Sequence, residues 1–175
     1  MATNSEVGIG NPRACGSCTL CCKIYELPIL EKAAGAWCQH CTPGKGCSIH
    51  SARPSPCRTF QCVWTVAAAL DNKWRPDNAG FVIAAVDMQL FVDVDPEKPD
   101  AWRKEPYYSQ FKRWSSRNQP RFLTVVIRSP KQSIVVFPET EIALGPPRSG
   151  VEIRSGYQMQ NGKLVPYAHF EEQPS

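Results

Sequence analysis

Beyond residue 80 the chain alternates between apolar and polar positions with the period of strands, broken once by the period of a helix. Phe81 to Val86 and Leu90 to Val94 predict a hairpin, with Asp87, Met88 and Gln89 near its turn. Asp93 and Asp95 flank Val94 in alternation, which predicts a solvated strand face rather than a catalytic carboxylate pair. From Ala101 to Arg117 the period becomes helical. Tyr107, Phe111 and Trp114 fall on one stripe, while Lys104, Lys112, Arg113 and Arg117 lie mostly elsewhere, so the helix is expected to lay its aromatic face on a sheet. Leu123 to Ile127 and Ser133 to Phe137, rich in β-branched residues, predict a second hairpin turning at Ser129-Pro130-Lys131-Gln132. A weaker strand is expected over Val151 to Arg154, and Asn161-Gly162 reads as the turn between Tyr157-Gln158-Met159 and Leu164-Val165, with fraying from Glu171. The order strand-strand-helix-strand-strand plus a terminal hairpin defines an α+β unit: a small antiparallel sheet with one covering helix.

The first third follows no such pattern. Lys23 to Pro28 suits a strand or a helix tail ended by proline, Ile29 to Ala36 is helix-compatible, and Val66 to Leu70 reads as the end of a helix begun near Phe60. Asp71 to Asn78 is a polar loop. What organises this region is sulfur: all nine cysteines fall between Cys15 and Cys62. The expected division is therefore a flexible arm over residues 1–14, a cysteine module over 15–64, and the α+β region over 65–175.

Repeated C-x2-C spacing lets a tight turn aim two thiolates at one ion. In a helix over residues 15 to 22 the four sulfurs would share one face, whereas Gly16 and Ser17 favour a knuckle-like turn. In either case the adjacent Cys21 and Cys22 point apart more than a C-x2-C pair does, so that either they serve different metals or one packs as a small hydrophobe. Thr42-Pro43-Gly44-Lys45-Gly46 is a strong turn that folds Cys47 back towards the first cysteines, and Arg53-Pro54 with Pro56 stiffens the approach to Cys57 and Cys62. Arg53 and Arg58 are placed either to donate hydrogen bonds to metal-bound sulfur or to serve as ordinary surface charge.

Charge and composition narrow the function. Lys plus Arg number 20 against 16 Asp plus Glu, too small a surplus for a dedicated nucleic-acid binder. Up to Trp64, Arg13, Lys23, Lys32, Lys45, Arg53 and Arg58 outweigh Glu6, Glu26 and Glu31, a local excess that would offset the negative charge of a thiolate-ligated metal. The polar, Gly-containing start lacks the apolar core of a secretory signal, and no run reaches membrane-span length. The expectation is a cytoplasmic chain, where clustered cysteines are metal-binding rather than disulfide-forming. No phosphate loop of the G-x4-G-K-S/T type, no H-E-x2-H helix and no nucleophile-base pair is present, so no motif supports an enzyme.

The stretch resembles the YkgJ-like family of cysteine-cluster proteins, described as zinc- or iron-chelating. The first part of the pattern, C-x2-C-x2-C-C, is Cys15, Cys18, Cys21 and Cys22, and the lone cysteine that follows is Cys38. The closing block C-x-I-(Tyr/His)-x2-R-P-x2-C-R-x-F-x-C runs from Cys47 through Ile49, His50, Arg53, Pro54, Cys57, Arg58 and Phe60 to Cys62. The resemblance covers residues 13 to 64 and leaves the α+β region unassigned. It implies a ligand set of Cys15, Cys18, Cys21, Cys22, Cys38, Cys47, Cys57 and Cys62, with Cys41 the surplus thiol because the family pattern has a hydrophobic residue there. His50 stands at C-x2-H from Cys47, but the family accepts tyrosine at its position, and His40 and His169 are weaker candidates still.

Eight thiolates suit two four-sulfur sites, one site with spare thiols, or an iron-sulfur cluster plus one zinc. The expected cofactor is Zn2+ or iron, a [4Fe-4S] cluster included. The leading function is a metal-binding protein. The alternatives are an iron-sulfur redox protein or enzyme accessory whose α+β half docks an undefined protein partner, and a zinc-stabilised nucleic-acid binder using Ala101 to Arg117.

Overall fold

The computed structural model describes residues 13–116 and 123–172. Nearly all of the predicted N-terminal arm, Arg117 of the predicted helix and residues 173–175 lie outside the described residues. Short helices and antiparallel strands together make an α+β fold. The chain divides into two compact units: one runs through Ala85 and takes in Asp93–Trp102, the other comprises Val86–Val92 and the residues from Arg103 onward.

The first unit holds α1 (Cys21–Ile24), the two-residue strands β1 (Cys41–Thr42) and β2 (Gly46–Cys47), α2 (Ser55–Thr59), α3 (Val63–Val66), α4 (Pro76–Ala79) and most of β3 (Phe81–Val86). Its helices are short because proline and glycine punctuate the sequence. Ile29 to Ala36 keeps only a 3-10 turn over Pro28–Leu30, since Glu31 turns left-handed at φ 51° and Gly35 at φ 78°. The helix expected to run from near Phe60 to Leu70 is confined to α3. At the end of α4, Gly80 adopts φ 78°, and a Cβ there would lie 2.9 Å from the Ala101 side chain, so both backbone and packing require glycine.

Trp64, Trp74, Phe81, Val82, Ile83 and Trp102 are buried in this unit, with the Trp74 and Phe81 rings edge-on at 6.3 Å. Arg13 closes one side of that core. Its guanidinium lies 4.3 Å from the Trp64 ring and donates to the carbonyls of Trp64, Ala67 and Leu70, satisfying acceptors at the end of α3.

In the second unit the strands follow the order β4 (Gln89–Val94, of which Gln89–Val92 belong here), β5 (Thr124–Ser129), β6 (Gln132–Val136) and β7 (Glu141–Gly145). β5 and β6 pair Val125 with Val136 and Ile127 with Ile134, and their turn tightens to Pro130-Lys131. Strand β7 was not predicted, and it meets β6 with a register shift at Ser133/Ile134. The terminal elements form one ribbon of ten-residue strands, β8 (Val151–Gln160) and β9 (Lys163–Glu172), rather than two short pieces. Asn161 at φ 50° and Gly162 at φ 74° make its turn. The predicted helix condenses to α5 (Tyr107–Trp114), which buries Tyr107, Phe111 and Trp114 and lies against β5. Val126, Val135, Phe137 and Ile153 form one buried cluster, and the Tyr157 ring meets Phe137 edge-on at 5.4 Å.

Candidate metal centre

The cysteines are positioned by turns rather than by a long helix. Gly16 at φ 57° lets the Cys18 amide donate to the Cys15 carbonyl at 3.0 Å, the knuckle geometry that Gly16 and Ser17 favour, and the helix begins only at Cys21. Cys38 is tied to this knuckle by its amide, which donates to the Cys22 carbonyl at 3.1 Å. β1 and β2 set Cys41 directly opposite Cys47. The Gly44 amide between them donates to the Thr19 hydroxyl at 3.1 Å, so this turn does fold back onto the first cysteines. Pro56 lies in the first turn of α2, which carries Cys57, and Cys62 precedes α3 and bridges to Ala84.

Two hollows result. One of about 250 Å³ is lined by Cys15, Cys18, Cys21, Cys22, Cys38, Cys47 and Cys57, together with His40, His50, Tyr25 and Phe60. The other, of about 20 Å³, is lined by Cys15, Cys18, Cys21 and Cys62 with Trp64, Thr65, Pro76 and Val82. Every cysteine is a free thiol. Cys41 lines neither hollow but hydrogen-bonds Cys22, and Thr19 hydrogen-bonds Cys41 in turn. Arg53 borders the larger hollow and donates to the His50 carbonyl at 2.8 Å, while Arg58 is exposed.

Five of the thiols, Cys18, Cys22, Cys41, Cys57 and Cys62, are pushed above the ordinary thiol value. Burial pushes Cys62 up to about 11, with Cys18 and Cys15 adding to the effect, and burial followed by the charge of Cys22 pushes Cys41 to about 11. Cys22 is raised first by its hydrogen bond to Cys21 and then by burial, and Cys57 by burial and by Cys22 and Cys38. Crowded sulfurs resist ionisation unless a cation joins them. The donor set therefore fits zinc or iron in kind, because reduced thiols that ionise on binding are the ligands these ions take. It is not closed as it stands: among the described residues no three His, Cys, Asp or Glu side chains converge tightly enough to hold an ion.

Two buried lysines beside the sulfurs had no strong signal in the sequence. Lys32 donates to the carbonyls of Lys23 and Ala33, each at 3.0 Å, and to that of Tyr25, so its ammonium is fixed in place. Burial lowers its pKa, while Cys38, Cys22, Cys21 and Cys57 pull the other way. Lys23 pairs with Asp95 and Glu97, each at 2.8 Å. This corrects the expectation of a solvated face at Asp93 and Asp95. Both are buried, Asp95 accepting from Lys23 and Asp93 from the Tyr25 hydroxyl at 2.7 Å.

Comparison with protein-family models, with curated proteins and with solved structures finds no match. Among the described residues no helix is long and apolar enough to cross a membrane.

Proposed function

We propose that this is a metal-binding protein of the YkgJ-like kind, holding zinc or iron through Cys15, Cys18, Cys21, Cys22, Cys38, Cys47, Cys57 and Cys62 in a cysteine-rich module. The observation that carries the reading is the larger hollow, where seven free thiols from four separate stretches of the chain line a common space. Ordinary packing does not explain it, since thiols used as small hydrophobes fill space rather than surround it.

In the cytoplasm such thiols stay reduced and available. Zinc or iron would supply the cation that lets them ionise. The chain's own part is to bring sulfurs from Cys15 to Cys62 together and to place the fixed charge of Lys32 beside them, opposing the negative charge of a thiolate set. The role is structural or chelating rather than catalytic, because a site closed by four sulfurs leaves no coordination position for a substrate.

Because these turns contain few backbone ladders, binding free energy would become folding free energy. Treating the protein with a strong chelator at neutral pH is expected to lower its melting temperature and change its circular dichroism. Unchanged curves would refute the reading.

A further inference from the structure

We propose that the module carries two separate sulfur sites: an inner one made by Cys15, Cys18, Cys21 and Cys62, and an outer one made by Cys22, Cys38, Cys47 and Cys57. This rests on the metal-binding reading and adds the number of sites and the ligands of each.

The assignment follows from which thiol reaches which hollow. Cys62 lines only the small hollow, and Cys22, Cys38, Cys47 and Cys57 line only the large one. Cys15, Cys18 and Cys21 line both and so form the wall between them. The remaining lining of the small hollow is Trp64, Thr65, Pro76 and Val82, which offers no other strong metal donor, so an ion there would need all three wall thiols with Cys62 to be four-coordinate. That leaves four thiols for the large hollow.

The chain path agrees with this division. The Cys38 amide ties that residue to the Cys22 carbonyl at 3.1 Å, and Cys62 lies apart from them, in an isolated bridge with Ala84. Successive residues of α1 are turned by about 100° about its axis, which separates Cys21 from Cys22 by side even though their sulfurs remain within hydrogen-bonding reach. The sites therefore adjoin without sharing a ligand. The inner hollow, about 20 Å³, has room for one ion and none for a multi-iron cluster. Cys41, outside both hollows, hydrogen-bonds the outer ligand Cys22.

The test is anaerobic titration of the full reduced chain with Co2+, read by its thiolate charge-transfer absorption, followed by alkylation and mass spectrometry. The unsubstituted chain is expected to take up two equivalents. Cys62→Ser and Cys38→Ser are each expected to retain one, with Cys22, Cys38, Cys47 and Cys57 protected from alkylation in the first and Cys15, Cys18, Cys21 and Cys62 in the second. Should either variant fail to fold, the unsubstituted chain at one equivalent still decides, because protection is then expected to appear in one block of four thiols before the other. Saturation at a single equivalent, or protection spread evenly over all eight thiols, would overturn the two-site assignment while leaving metal binding intact. Absence of any uptake by the unsubstituted chain would instead overturn the metal-binding reading and this inference with it.

Discussion

The ammonium of Lys23, beside the cysteine knuckle, lies 2.8 Å from the carboxylate of Asp95 at the end of the β4 segment, and both side chains are almost fully buried. Burial alone would lower the Lys23 pKa, but the hydrogen bonds to Asp95 and Glu97 outweigh it and the net shift is upward. Removing one partner of such a pair leaves a buried charge uncompensated, at a cost of about 3–5 kcal/mol. Lys23→Met strips the buried Asp95 of its cation and is therefore expected to destabilise by roughly that amount in urea denaturation, and Asp95→Asn by less, because Glu97 still pairs with Lys23. The sign with pH follows from the raised pKa. The pair's contribution is complete below the ordinary lysine value of about 10.4 and is lost as pH rises through the higher folded value.

The thiols give a second pH dependence. With Cys62 and Cys41 raised from 9.0 to about 11, the folded metal-free chain favours protonated sulfur more than the unfolded chain does. Its stability is expected to be full below pH 9 and to fall as pH climbs towards 11. In the metal-loaded chain the ligand thiols have already lost their protons, so the slope over the same range should be shallower. Melting curves of both forms across this range make the comparison. Equal slopes would show that the thiols do not change protonation on loading.

Lys32 is expected to act as a fixed counter-charge. Replacing it by Met takes the ammonium donor from the carbonyls of Lys23 and Tyr25, leaves Ala33 only the Ala36 amide, and removes a positive charge near Cys22, Cys38 and Cys57. Of these only the Lys23 carbonyl belongs to a buried residue, and orphaning such an acceptor costs about 1–3 kcal/mol. The variant should be less stable and bind Zn2+ more weakly, whereas Lys32→Arg should recover part of the metal affinity. Competition with a chromophoric chelator measures it, and Lys32→Met with undiminished affinity would limit the residue to a structural part.

In the second unit, Arg103 grips Glu141 with two hydrogen bonds of 2.9 and 2.8 Å, and the Tyr108 hydroxyl adds a third at 2.7 Å. Burial opposes ionisation of Glu141, but these donors prevail and hold its pKa below the usual 4.5. Its contribution is therefore present above the ordinary glutamate range and disappears as pH falls through the depressed value. Glu141→Gln should lower stability by about 1 kcal/mol at pH 7 and flatten the acid limb of the stability curve.

How far the sequence revealed the fold depended on how local each determinant was. The β5 and β6 hairpin was visible because Val125, Val126, Ile127, Ile134, Val135 and Val136 are nearly all β-branched and close together in the chain. The terminal ribbon showed its Asn161-Gly162 turn but not its length. Gly156 and Pro166 interrupt the strand pattern, yet Gly156 serves its partner: a Cβ there would lie 3.2 Å from the Tyr167 ring. Strand β7 is too short, as Glu-Ile-Ala-Leu-Gly, to carry a period. Asp93 and Asp95 were misread because Tyr25 and Lys23 stand 68 and 72 positions away. The clustering of all nine cysteines between Cys15 and Cys62 was visible in the sequence, but the bond from Cys41 to Cys22 depends on how the Thr42–Gly46 turn docks on Thr19.

The most direct measurement is the zinc and iron content of the protein after anaerobic purification, paired with a count of alkylatable thiols. Our account predicts stoichiometric zinc or iron, with the eight ligand cysteines shielded until a chelator is added and Cys41 reacting independently of it. Metal-free protein whose nine thiols react at once, and whose melting curve does not respond to added zinc or iron, would contradict it.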